Sequence, residues 1–308
     1  MAGALRFMEA VLYCLARAVL ALVWALPWRW AAGLGRCVGG LCYWVDRRHR
    51  RVALRNLAQH LGDGGTEAEL RAIARENFRR IGESFACAAR AAVMTPAAVA
   101  NLLTFQGLER LGDASGRVTQ SRVVAIGHFG CFELYAWVGR FLPGYKFATT
   151  YRALRQPALN RLLRRLRTRS GCLYFERRSE MAALQLALRT ERLVLGFLAD
   201  QHAGNRGLPV AFLGEVCSTT AAPAVFALRY GCPLFVAVCY RIGLGRYQIE
   251  ISEEIPTRCD GQRRTPEEVT RDLNRLLETA VRRDPANWFW VHQRWKPGRC
   301  RQAPKAEQ

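Results

Sequence analysis

The chain has 308 residues, 50% of them hydrophobic and 23% charged, with a mean hydropathy of −0.06, a length that holds one large or two modest domains. These values exclude a disordered chain, a small stapled scaffold and a polytopic transporter, which would need many apolar spans of about 20 residues. Lysines and arginines number 46 against 25 acidic residues, and the resulting charge of +21 favours anionic partners such as nucleic acid, an acidic carrier protein or an anionic membrane surface.

Residues 8–30 (MEAVLYCLARAVLALVWALPWRW) form the most apolar stretch, with Glu9 and Arg17 its only charges before Arg29. It contains no small-residue cleavage site, so the stretch reads as a retained membrane segment rather than a cleaved signal. Trp24, Trp28, Trp30 and Trp44 lie in or just after it, as expected at a membrane interface, and the run DRRHRR at 46–51 puts the downstream domain on the cytoplasmic side. Arg17 is costly at a bilayer centre unless it snorkels, so spanning the bilayer and lying within it both remain open. A buried amphipathic helix pair is the alternative.

From Arg51 to about Asn101 the pattern is helical, broken by GDGG at 62–65 and restarted by Thr66 with Glu69 three residues on, a capping box. Strand and helix then alternate. Strands are expected at 122–127, 146–150, 172–175, 193–198, 209–213, 234–240 and 247–251, and helices at 156–168, 179–189, 219–230 and 266–283, with a further helix-like stretch, FELYAWVGRFL, after the first strand. That order implies an α/β fold whose sheet is covered by helices on both faces.

Eleven cysteines include no CxxC pair and mostly sit in apolar runs, and the five histidines do not join them at zinc spacing. A reducing compartment is expected, with no structural metal and no cofactor. The glycines GLGRCVGG at 33–40 lack the third glycine of a dinucleotide loop, and neither a Walker A sequence nor a GxSxG elbow is present. Without a covalent nucleophile or a cofactor loop, the remaining chemistry is direct attack by an acceptor hydroxyl on an activated acyl group.

The segment GHFGCFE at 127–133 carries that chemistry. His128 follows a buried-type strand, Gly130 permits a sharp turn and Glu133 falls in the first turn of the next helix, so imidazole and carboxylate are expected to meet as base and orienter. The helix N-terminus beside them offers free N–H groups to an oxyanion or phosphate. By spacing alone, a satisfied core histidine explains the same residues.

Six blocks in order tip that balance: LPWRWAAGLGRCVGGLCYWVDRRHRRVALRNL, GHFGCFE, TTYRALRQP with RLLRRLRTRSG behind it, FLADQHAG, PVAFLGEVCSTTAAPAVFALRYGCPLFVAVCYR and NWFWVHQRWKP. From about Tyr13 to Pro297 the chain resembles the lysophospholipid acyltransferase superfamily, and within it the late acyltransferases of lipid A biosynthesis. The resemblance implies a glycerolipid acyltransferase-like mixed sheet behind an N-terminal membrane helix. It divides the chain into an anchoring segment (1–45), a catalytic domain (46–300) and a polar tail (301–308).

It also implies that His128 is the general base, Glu133 its partner and Arg167 an arginine tied to catalysis, and that Asp200 and Gln201 match the family's acidic pair that closes the site. Arg152 then suits a phosphate or sugar contact, and Arg164 is a further substrate-binding candidate; a solvated helix face is the alternative for Arg164, Arg165 and Arg169 alike. Trp288, Trp290, His292 and Trp295 read as a packing seam, with a catalytic role there as the alternative. Two departures, GCFE in the histidine box and YRALRQP without an asparagine-rich stretch, set the acceptor pocket apart. The implied donor is an acyl carrier protein thioester, or coenzyme A. The implied acceptor is a membrane glycolipid or lysolipid at the cytoplasmic face of the bacterial inner membrane. A non-catalytic protein that binds anionic surfaces is the competing class; nucleic acid is not expected as a partner, because no helix-turn-helix, RRM or zinc-finger spacing appears.

Overall fold

The computed structural model describes residues 2–62, 65–112 and 120–296; the polar tail at 301–308, the end of the expected catalytic domain at 297–300 and part of the GDGG break lie outside them. The apolar N-terminal stretch forms two helices, α1 (Ala2–Ala25) and α2 (Trp28–Val45), divided at Pro27, which is pre-set for a helix start and cannot continue the preceding one. The segment from Phe7 to Ala25 is long and apolar enough to cross a bilayer and is almost wholly unburied.

Its ends are tied down by polar contacts. Trp24 Nε1 donates to the Ala89 carbonyl (2.9 Å), and Glu9 accepts the backbone N–H of Ala158 (2.9 Å). Helix α2 buries Ala31, Ala32, Gly35, Gly39 and Tyr43. The glycine run at 33–40 therefore serves packing: a Cβ on Gly39 would collide with the Phe78 carbonyl and one on Gly82 with that of Gly35, so the two backbones touch.

Helices α3 (Arg47–Leu61) and α4 (Glu67–Ala91) come next, the latter opened by the expected capping box of Thr66 and Glu69. On α4, fully buried Glu83 accepts from Arg36 of α2 (3.1 Å), from Arg241 in the β-sheet (2.8 Å) and from the Gly245 N–H in the turn that follows that strand (2.8 Å). A buried carboxylate needs such partners, and this one binds three layers together.

After the short α5 (Pro96–Ala100) come β1 (Leu103–Gln106), β2 (Arg122–Ile126), β3 (Lys146–Tyr151), α6 (Pro157–Arg167), β4 (Leu173–Glu176), α7 (Met181–Thr190), β5 (Leu193–Leu198), β6 (Leu208–Phe212), β7 (Glu215–Thr219), α8 (Ala222–Tyr230), β8 (Leu234–Gly243), β9 (Arg246–Ile251), the two-residue strands β10 (Arg258–Cys259) and β11 (Gln262–Arg263), and α9 (Pro266–Arg283). Seven strands form one mixed sheet in the order β1-β9-β8-β2-β5-β3-β4, parallel throughout except where β8 meets β9. Its centre, β2, is buried at every residue between parallel neighbours, the pattern of a strand covered on both faces.

Three expectations change in detail. The stretch expected at 209–213 joins β7 in a separate hairpin, because Leu213 and Gly214 both adopt positive φ (51° and 84°) and turn the chain back on itself. Strand β7 also delays the next helix from the expected 219 to Ala222. The helix-like FELYAWVGRFL is a 3-10 segment, Phe132–Arg140.

Candidate active site

Parallel pairing of β2 with β5 puts Ile126 opposite Leu198, so the residues two positions beyond each strand end, His128 and Asp200, emerge side by side. Crevices at the carboxyl ends of neighbouring parallel strands are the usual ligand sites of such sheets. Asp200 Oδ1 lies 2.7 Å from His128 Nδ1, while Oδ2 accepts the His128 backbone N–H (2.7 Å) and the Trp288 indole N–H (2.8 Å). Burial of Asp200 works to raise its pKa, but the His128 charge and these hydrogen bonds outweigh it and hold the carboxyl below its ordinary value.

With a carboxylate at Nδ1, the ring carries its proton there and presents its lone pair at Nε2. The Gln201 amide nitrogen lies 3.2 Å from Nε2, and Phe132 and Phe289 pack against the ring. Gly130 makes the turn away from β2 at φ 48°, and a Cβ there would meet the Cys239 carbonyl. A C-terminal segment completes the frame: Trp288 bridges Phe129, and the Gly130 N–H donates to the Asn287 carbonyl (3.0 Å).

The partner of His128 is thus Asp200 and not Glu133. The carboxylate of Glu133 faces α6, where Arg167 grips it through Nη2 (2.5 Å) and Nε (3.1 Å). Burial opposes the charge on Arg167, yet the Glu133 carboxylate more than restores it, and the guanidinium also lies over the Tyr174 ring, 5.5 Å from its centroid. Five residues of sequence bring Glu133 close to the site, but the turn at Gly130 and the 3-10 segment point it elsewhere.

His128, Phe132, Glu133, Arg167, Tyr174 and Gln201 line one cavity of about 710 Å³, within the range for small-molecule sites. Its inner end runs between the sheet and the 3-10 segment, among Leu111, Ile126, Val138, Phe147, Ile249 and Ile251. Its outer rim is basic and aromatic, with Arg152, Arg167, Arg177, Tyr151 and Tyr174. Arg164 is not among the lining residues and instead lies over the outer ring of Tyr151, 6.0 Å from its centroid. Arg169 donates to the Ala92 carbonyl.

Arg177 and His202 escaped the sequence reading, whereas Trp288 and His292 were singled out there and read as packing in preference to catalysis. The motif NWFWVHQRWKP marks Trp288 and His292, but packing and chemistry give tryptophans and histidines the same signature. Trp288 and Trp290 are indeed buried as a seam, and Trp295 stacks on His60 at 3.6 Å.

The profile of the bacterial lipid A biosynthesis acyltransferases matches residues 3–297 of the chain. Over 275 residues, 88% of this chain and 86% of the relative, the sequence is 24% identical to a lipid A biosynthesis palmitoleoyltransferase of Escherichia coli (strain K12). The same identity and coverage hold for a lipid A biosynthesis acyltransferase of Shigella flexneri.

Proposed function

Because the chain belongs to the bacterial lipid A biosynthesis acyltransferase family, we propose that it moves a fatty acyl group from a carrier thioester to a hydroxyl of a lipid A precursor, with His128 as general base and Asp200 as its orienter. The observation that carries this reading is the His128–Asp200 pair at the junction of an apolar cavity and an arginine-lined rim, its Nε2 met, among the described residues, by the Gln201 amide alone.

In the reaction, Nε2 of His128 takes the proton of the acceptor hydroxyl as its oxygen attacks the thioester carbonyl. Asp200 stabilises the imidazolium so formed. Collapse of the tetrahedral intermediate breaks the C–S bond, and the departing thiolate takes the proton back from His128. No acyl-enzyme is required. The inner cavity suits the acyl chain, since each buried CH2 contributes about 0.8 kcal/mol, and a water-poor site limits hydrolysis of the donor.

Arg152 and Arg177 at the rim suit a phosphorylated acceptor, and Arg167, braced by Glu133, supplies a third cation of fixed orientation. The charge of +21 favours an acidic carrier protein as donor. Helix α1 suits attachment at the cytoplasmic face of the inner membrane, beside the acceptor.

The test is transfer by purified protein from an acyl-carrier-protein thioester to a lipid A precursor in detergent, with the acylated product identified by mass spectrometry. Replacing His128 with alanine is expected to lower kcat by about 10² to 10⁴-fold while the protein stays folded. Near-full turnover in that variant would remove the mechanism, and absence of any acylated product with the native protein would remove the function.

A further inference from the structure

His128 is not the sole imidazole in the cavity wall: His292 lines it too. The two are set by one short piece of chain. Gln201 extends its amide to Nε2 of His128 (3.2 Å), and the backbone N–H of the next residue, His202, donates to Nε2 of His292 (3.0 Å). An N–H donor at Nε2 fixes the lone pair there, so the neutral ring of His292 carries its proton on Nδ1. Among the described residues no group partners that Nδ1.

The ring is also firmly mounted. Buried Asn56 donates to the carbonyls of both Trp290 and His292 (2.9 Å each), and Arg294 is pinned by the Ser218 carbonyl (2.6 Å) and Thr219 Oγ1 (2.7 Å). Burial lowers the pKa of His292 to about 4; Asp200 opposes this, while His128, Arg294 and His202 reinforce it. The two imidazoles thus differ in kind: one has a carboxylate behind it, the other an N–H. Environments that split like groups in this way assign them different chemical roles.

We propose that His292 is a second catalytic residue, a neutral electrophile whose Nδ1–H donates a hydrogen bond to the oxyanion formed at the thioester carbonyl. The inference rests on the acyl-transfer reading above. When the acceptor oxygen bonds to the carbonyl carbon, the π pair moves onto the carbonyl oxygen and the hydroxyl proton goes to His128. His292 donates a hydrogen bond to that oxygen without giving up its proton. Re-formation of the C=O bond then expels the thiolate, which is protonated by His128.

The experiment compares His292→Asn, His292→Gln and His292→Phe in two assays: transfer to the lipid A precursor, and hydrolysis of the acyl-carrier-protein thioester without acceptor, in which water forms the same oxyanion. The amide nitrogen of Asn falls where Nδ1 stood, whereas that of Gln falls at Nε2. His292→Phe and His292→Gln should lower kcat about 10² to 10³-fold in both assays, as loss of an oxyanion donor does, with KM within about threefold of native. His292→Asn should recover about tenfold over Gln. Equal activity of Asn and Gln, or a raised acceptor KM with unchanged hydrolysis, would overturn the inference and leave the acyl-transfer reading standing. A native protein inactive in both assays would overturn that reading, and this inference with it.

Discussion

Replacing Asp200 with asparagine keeps the shape of the side chain and removes its charge, which isolates the role of the carboxylate. In the native site Oδ2 accepts two donors, the His128 N–H at 2.7 Å and the Trp288 indole at 2.8 Å, and Oδ1 faces His128 Nδ1 at 2.7 Å. Asparagine has one acceptor oxygen, and it satisfies most donors by occupying the Oδ2 place. Its NH2 then points at Nδ1, forces that nitrogen to accept, and moves the ring proton to Nε2. The base is lost without loss of packing. A tautomer trap of this kind costs about 10³ to 10⁴ in kcat, which is about 4 to 5.5 kcal/mol at 1.36 kcal/mol per decade.

Single-turnover transfer at saturating acceptor reads the chemical step, and a thermal melt reports whether the variant folds. A folded Asp200→Asn protein within about tenfold of native activity would refute the claim that Asp200 orients His128.

Glu133→Gln is the complementary test: because Glu133 holds Arg167 rather than His128, the variant should raise acceptor KM by about tenfold and change kcat little, whereas a collapse of kcat alone would restore Glu133 as the histidine's partner. Glu83→Gln should cost about 3 kcal/mol of stability in denaturant unfolding, since it removes the buried charge that Arg36 and Arg241 share; a loss below about 1 kcal/mol would mean that this junction does not hold the layers together. Stability should also fall as pH drops from about 6.5 to 4, where the unfolded chain protonates His292 and the folded protein does not. The shift sets a ceiling of about 3 kcal/mol, reduced to roughly 1 to 2 kcal/mol by the ring's partial exposure; unfolding of the native protein and of His292→Asn on both sides of that window should differ by this amount, and identical pH profiles would contradict a buried neutral ring.

Much of the fold was legible in the chain because its signals are local. The capping box at Thr66 and Glu69, the continuous apolar run of β2 and the amphipathic pattern of α9 each act within one element, and each element stands where it was expected. The hairpin of β6 and β7 was less legible, since its turn uses a leucine at positive φ, Leu213, whose side chain is buried in the core. Nothing in residue type distinguishes that leucine from one in a strand.

The candidate site divides along the same line. The motif at 127–133 offered His128 as a candidate base, and the family resemblance added Arg152, Arg167, Asp200 and Gln201, which the fold sets in or beside one cavity. The pairing of these groups was decided by strand register and helix direction. Asp200 reaches His128 across 72 positions because β2 and β5 run parallel and end together, while Glu133, five residues away, is turned toward α6. Likewise, the glycines of α2 and the tryptophans near the C-terminus owe their roles to what packs on them. A hydrogen bond forms between groups that the folded backbone brings within about 3 Å of each other, and distance along the chain does not measure that separation.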